Sequence, residues 1–95
     1  MRKRITVYRC KPGVQWLVDL HSIFIIDRDT GNQMTLKYPE AGVWELIGRG
    51  YSFDEILRMI AVIESMDQKE AEGLIKSCLN TWVRRGFFLE RATND

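Results

Sequence analysis

The chain has 95 residues, 45% hydrophobic and 28% charged, an ordinary globular composition with room for one compact domain. Fourteen Lys and Arg against 13 Asp and Glu give +1, but residues 1–11 hold Arg2, Lys3, Arg4, Arg9 and Lys11 and no acid, so the remainder carries −4. A core this small disfavours a large cofactor enzyme, and a mildly acidic body is poor material for gripping a phosphate backbone.

In chain order, residues 1–13 form a basic arm that is expected to be solvated and frayed. Its Ile5–Tyr8 run is followed by Arg9, Lys11, Pro12 and Gly13, so it lacks the apolar core of a signal peptide. After Pro12-Gly13, the stretch from Val14 to Leu20 predicts a short strand. Ser22–Asp27 is β-branched and aromatic and predicts a central strand. Arg28–Asn32 is turn chemistry, and Gln33–Tyr38 alternates polar and apolar as the returning arm of a hairpin.

Pro39 and Glu40 then start a helix with Val43, Leu46 and Ile47 on its apolar face, and Gly48 and Gly50 end it. Ser52-Phe53-Asp54-Glu55 is a capping box for a second helix, carried by Phe53, Ile56, Leu57, Ile60 and Ile63. Asp67 caps a third helix with Glu70 in the reciprocal position, and its stripe is Ala71, Leu74, Ile75, Cys78, Leu79, Trp82 and Val83. Arg84 and Arg85 suit a helix C-terminus, and Gly86 suits the residue after it. Phe87–Leu89 extends the chain or forms a small strand, and residues 91–95 are expected to fray. The predicted architecture is α+β: a three-stranded antiparallel sheet followed by three helices, winged helix-turn-helix-like, over residues 14–90.

The residues offer no catalytic constellation. His21 is the only histidine and reads as a turn or surface residue. With one His and two distant cysteines, Cys10 and Cys78, neither a metal site nor a disulfide framework is expected. Cys78 lies in the apolar stripe and reads as a buried thiol. Gly48-Arg49-Gly50 has neither the spacing nor the preceding strand of a phosphate loop. Asp27 and Asp29 lack the remaining ligands of a calcium loop and read as turn residues. Trp16, Trp44 and Trp82 fall on different elements and read as core anchors. The longest unbroken apolar run, Met59–Ile63, is far too short to span a membrane. A cytoplasmic protein without cofactor, metal or membrane contact is expected.

One feature suggests binding. Gln33–Tyr38 runs directly into a helix, so no later strand in sequence need pair with its outer side. An unpaired edge is a template for an incoming strand, unless Lys37 and Pro39 serve to guard it.

The element order from Ser22 to Glu90 resembles the PqqD-like family, the RiPP recognition elements of ribosomal peptide modification. The residues carrying the resemblance are the hairpin S-I-F-I-I-D…Q-M-T-L-K, the helix V-W-E-L-I-G-R-G, the segment S-F-D-E-I-L and the ending L-x-x-W-V-R-R-G-F-F-L. They span about 70 of the 95 residues. The sequence departs from the family where Leu36 is followed by Lys37-Tyr38-Pro39 rather than by a short polar residue such as Asn. The resemblance implies a non-catalytic chaperone that binds the leader segment of a precursor peptide as an added strand and presents it to a modifying enzyme, often a radical SAM protein.

The resemblance also places the peptide between the Gln33–Tyr38 strand and the last helix. The expected peptide-binding residues are then Gln33, Met34, Thr35, Leu36, Lys37 and Tyr38, with Leu79 and Val83 receiving apolar side chains and Lys76 pairing with an acid at the rim. A monomer and a homodimer are both compatible with this arrangement. The rival classes are a DNA-binding winged helix, disfavoured by Glu70 and Glu72 beside Lys69, Lys76, Arg84 and Arg85 on the third helix, and a structural subunit of an enzyme complex. No nucleic acid partner is expected.

Overall fold

A computed structural model describes residues 4–94, with the strand residues 4–9 and 89–94 described by their backbone. Eight elements follow in order: β1 (Arg4–Cys10), β2 (Val14–Val18), β3 (Ser22–Asp27), β4 (Gln33–Lys37), α1 (Glu40–Gly48), α2 (Phe53–Ile63), α3 (Gln68–Arg84) and β5 (Phe88–Asn94). Strands β2, β3 and β4 form an antiparallel sheet in that order, as the hairpin patterning predicts. The three helices follow it in chain order.

The ends of the chain differ from expectation. Instead of fraying, Arg4–Cys10 pairs antiparallel with Phe88–Asn94, from Arg4 opposite Asn94 to Cys10 opposite Phe88. Residues 1–3 and 95 of the expected arm and tail lie outside the described residues. The physical reason is that each strand satisfies the other's backbone, a non-local pairing that neither segment reveals alone. The Lys11 N–H continues the link, donating to the Phe87 carbonyl at 2.9 Å.

Helix boundaries follow local chemistry. At α2, Ser52 and Glu55 form the full reciprocal capping box. At α3, Asp67 accepts from the Glu70 N–H at 2.8 Å, but the reciprocal Glu70 bond is not made. Gly86 ends the turn after α3 with φ of +86°, a conformation that favours glycine.

The core lies between the three-stranded sheet and the helices. Ile23, Ile25 and Met34 meet Val43, Trp44, Ile56, Ile60, Ile75, Leu79 and Trp82 there. Trp44 sits at its centre, stacked on Phe88 at 4.8 Å and edge-on to Trp16 and Trp82 at 5.6 and 5.2 Å. The expectation that the tryptophans anchor a core thus holds for Trp44 and Trp82, while Trp16 is 38% exposed. Gly48 makes the Trp16 contact feasible, since a Cβ there would lie 3.1 Å from the indole.

Asp27 fills its expected turn role and adds a buried one. It is 1% exposed, with Oδ1 accepting from the Asp29 N–H and Oδ2 from Lys11 Nζ, both at 2.9 Å. The Lys11 hydrogen bond chiefly holds the carboxyl below its ordinary range, against the opposing effect of desolvation.

Candidate functional site

β4 is an edge strand whose backbone orientation can be counted from its hairpin. The Asp27 N–H donates to the Asn32 carbonyl at 2.8 Å, which makes these residues a hydrogen-bonded pair. Hydrogen-bonded and non-bonded pairs alternate along an antiparallel ladder. Met34 and Leu36, opposite Ile25 and Ile23, therefore bond to β3. Gln33, Thr35 and Lys37, opposite Ile26, Phe24 and Ser22, turn their N–H and C=O groups to the open side. Their side chains are exposed, while Met34 is buried and Leu36 half-buried.

β4 ends at Lys37, so Tyr38 lies past the pairing edge. Its hydroxyl donates to Glu45 Oε1 across 2.7 Å, and this bond to a carboxylate is the main reason its pKa is raised. Tyr38 is tied to α1, with its ring beside Gly42.

The hydrogen bonds of Arg85 show which flank of α3 faces β4. Arg85, at the C-cap of α3, donates from Nη2 to the Gln33 carbonyl at 3.3 Å and from Nη1 to Met34 Sδ at 3.8 Å. Helical spacing puts Cys78 on this flank, where burial first and then the Glu40 carboxylate push its thiol up to about 12. Helical spacing puts Leu74 and Thr81 on this same flank, and both are half-buried.

The predicted helix residues fall elsewhere. At about 100° per residue, Lys76 stands roughly opposite Arg85 around α3, and Val83 lies close to that far side. Lys76 instead pairs with Glu72 at 3.8 Å along the helix. Leu79 is 3% exposed and belongs to the core. The structure therefore brings Gln33 and Met34 together with Arg85; Leu79 joins Met34 only within the buried core, and Lys76 and Val83 stand on the far side of the helix. Arg85 was legible in sequence as a charge suited to a helix C-terminus and as one of the bases of the third helix; its reach to β4 depends on how α3 is rotated against the sheet.

The site has hydrogen-bonding groups and charge but no reactive constellation among the described residues. No group of three or more His, Cys, Asp or Glu is placed to hold a metal ion there. His21 is exposed beyond β2. Burial pushes the Cys10 thiol up to about 11, so neither cysteine is an activated nucleophile. The shallow depressions beside Gly13 and Asp29 and beside Met59 and Ile63 are not lined by β4 residues. No helix among the described residues is long and apolar enough to cross a membrane.

Neither a known family profile nor a curated protein sequence matches the chain. Solved structures do match its fold. TbiB1 in complex with the TbiA(beta) leader peptide superposes with a TM-score of 0.80 at 18% identity, over 84% of this chain and 93% of that one. A lasso peptide synthetase B1 complexed with the leader peptide superposes with a TM-score of 0.80 at 16% identity, over 86% of this chain and 96% of that one. At these identities the likeness is one of fold, and it confirms the α+β architecture expected from the sequence.

Proposed function

We propose that this protein is a non-catalytic, PqqD-like recognition module that binds the leader segment of a ribosomally made precursor peptide by adding it as a strand to β4. The observation that carries this reading is the open edge itself: Thr35 and Lys37 present outward N–H and C=O groups with no strand against them among the described residues. Main-chain bonds supply affinity without an enclosed pocket. Two proteins of the same fold are captured with leader peptides. The bound peptide is handed to a modifying enzyme. The sequence resemblance favours a radical SAM protein, whereas one structural neighbour is named for lasso peptide synthesis.

Hydrogen exchange tests the geometry at single-residue resolution. Synthetic N-terminal segments of short peptides encoded beside this gene are added to the folded protein. The Gln33, Thr35 and Lys37 amides gain protection, while Met34 and Leu36, already bonded to β3, change little. Protection elsewhere with none gained at Thr35 and Lys37 refutes strand addition at β4. Tight, salt-sensitive binding to duplex DNA in place of peptide returns the winged helix to its DNA-binding reading.

A further inference from the structure

The guanidinium of Arg85 sits at the Gln33 end of the open edge. Three contacts hold it: the Gln33 carbonyl at 3.3 Å, Met34 Sδ at 3.8 Å and the ring of Phe87, whose centroid is 5.5 Å away. A guanidinium has five N–H donors, so this placement leaves donors unused. No carboxylate among the described side chains, residues 10–88, pairs with it, whereas Lys11, Arg49 and Lys76 each have an acidic partner. Lys37, at the other end of β4, is also exposed and without an ion pair among the described residues. The edge is thus bounded by positive charge at both ends. Only the charge at the Gln33 end is already fixed in place, so it loses little side-chain freedom when a ligand arrives.

We propose that Arg85 is a specificity-determining residue that selects an acidic side chain in the bound peptide, one position from the residue facing Thr35. The assignment rests on strand addition at β4. Because Arg85 already donates to the Gln33 carbonyl, that acceptor is partly satisfied, and regular pairing is strongest at Thr35 and Lys37. The peptide residue paired with Met34 turns its side chain to the same face as Met34, the face toward α3, where a carboxylate meets the unused guanidinium donors. In an antiparallel complex the acid is C-terminal to the Thr35-facing residue; in a parallel one it is N-terminal.

The probe is a displayed library of random peptides, selected in parallel against the parent, Arg85→Gln and Arg85→Glu, each confirmed folded by thermal melting. Parent binders carry Asp or Glu at one fixed position. That enrichment disappears with Arg85→Gln and turns to Lys or Arg with Arg85→Glu. For a selected peptide, replacing the acid by its amide weakens binding to the parent about fivefold and hardly changes binding to Arg85→Gln. Exchange protection at Thr35 and Lys37 is read on the same complexes. Protection there without an acidic preference, or with a preference that survives Arg85→Gln, overturns the role of Arg85 and leaves strand addition standing. Selected peptides that protect neither amide overturn both.

Discussion

Lys11 Nζ donates to Asp27 Oδ2 across 2.9 Å, joining the segment before β2 to the end of β3 around a carboxylate that is 1% exposed. Lys11 belongs to the basic arm, yet it serves as the counter-ion of a core acid. Removing one partner would leave a buried charge uncompensated.

Acid should therefore weaken the fold through Asp27. Its pKa is held below the ordinary 3.8 in the folded chain, chiefly by Lys11. A depressed carboxyl stabilises the fold fully above its unfolded pKa and loses that contribution as pH falls through the folded value. Asp27→Asn keeps an acceptor for the Asp29 N–H but loses the charge. Urea midpoints should show Asp27→Asn less stable than the parent at pH 7, with the gap closing below about pH 4. A gap independent of pH would assign the cost to packing.

Thr35→Pro should separate binding from folding. The Thr35 N–H faces the open edge, where proline removes no ladder bond. We expect peptide binding to fall at least about tenfold by calorimetry, as an edge bond and close approach are lost. The thermal midpoint should fall far less than for Met34→Pro, which breaks a bond to β3.

On α3, Leu79→Ala is expected to lower stability by about 2–5 kcal/mol, the usual cost of emptying a core position. At matched folded fraction, Leu79→Ala, Val83→Ala and Lys76→Ala should bind peptide like the parent, because Leu79 lies in the core and the far flank of the helix carries Val83 and Lys76. Weakened binding by folded Val83→Ala or Lys76→Ala would move the peptide to that flank.

Trp44 should dominate the core. It is fully buried against Trp16, Trp82 and Phe88, and its Nε1–H has no acceptor among the described residues. Trp44→Ala should cost about 3–5 kcal/mol. Trp44→Phe should cost less than half of that in denaturant titrations, since it retains an aromatic ring and removes the unpaired donor.

Both thiols should resist alkylation in the folded protein. With pKa values of about 11 for Cys10 and about 12 for Cys78, thiolate is scarce at pH 8. Mass spectrometry after iodoacetamide treatment should show little modification without urea and two additions with it. Rapid native labelling at Cys78 would show that its side of α3 opens.

The features legible in the sequence are the local ones. The alternation of Gln33–Tyr38, the turn chemistry of Arg28–Asn32 and the Ser52 box each act within a few residues, so the hairpin and the α2 boundary could be placed from them. The apolar stripe of α3 was likewise readable, because its period is intrinsic to the helix. A stripe broader than one contact face does not say which flank meets which neighbour, and there the tertiary structure decided. Packing set α3 so that Arg85 reaches β4, while Lys76 turns away to Glu72. The pairing of β1 with β5 and of Lys11 with Asp27 joins residues far apart in the chain. Their energies exist only once the core has brought the partners together, so no window of sequence contains them.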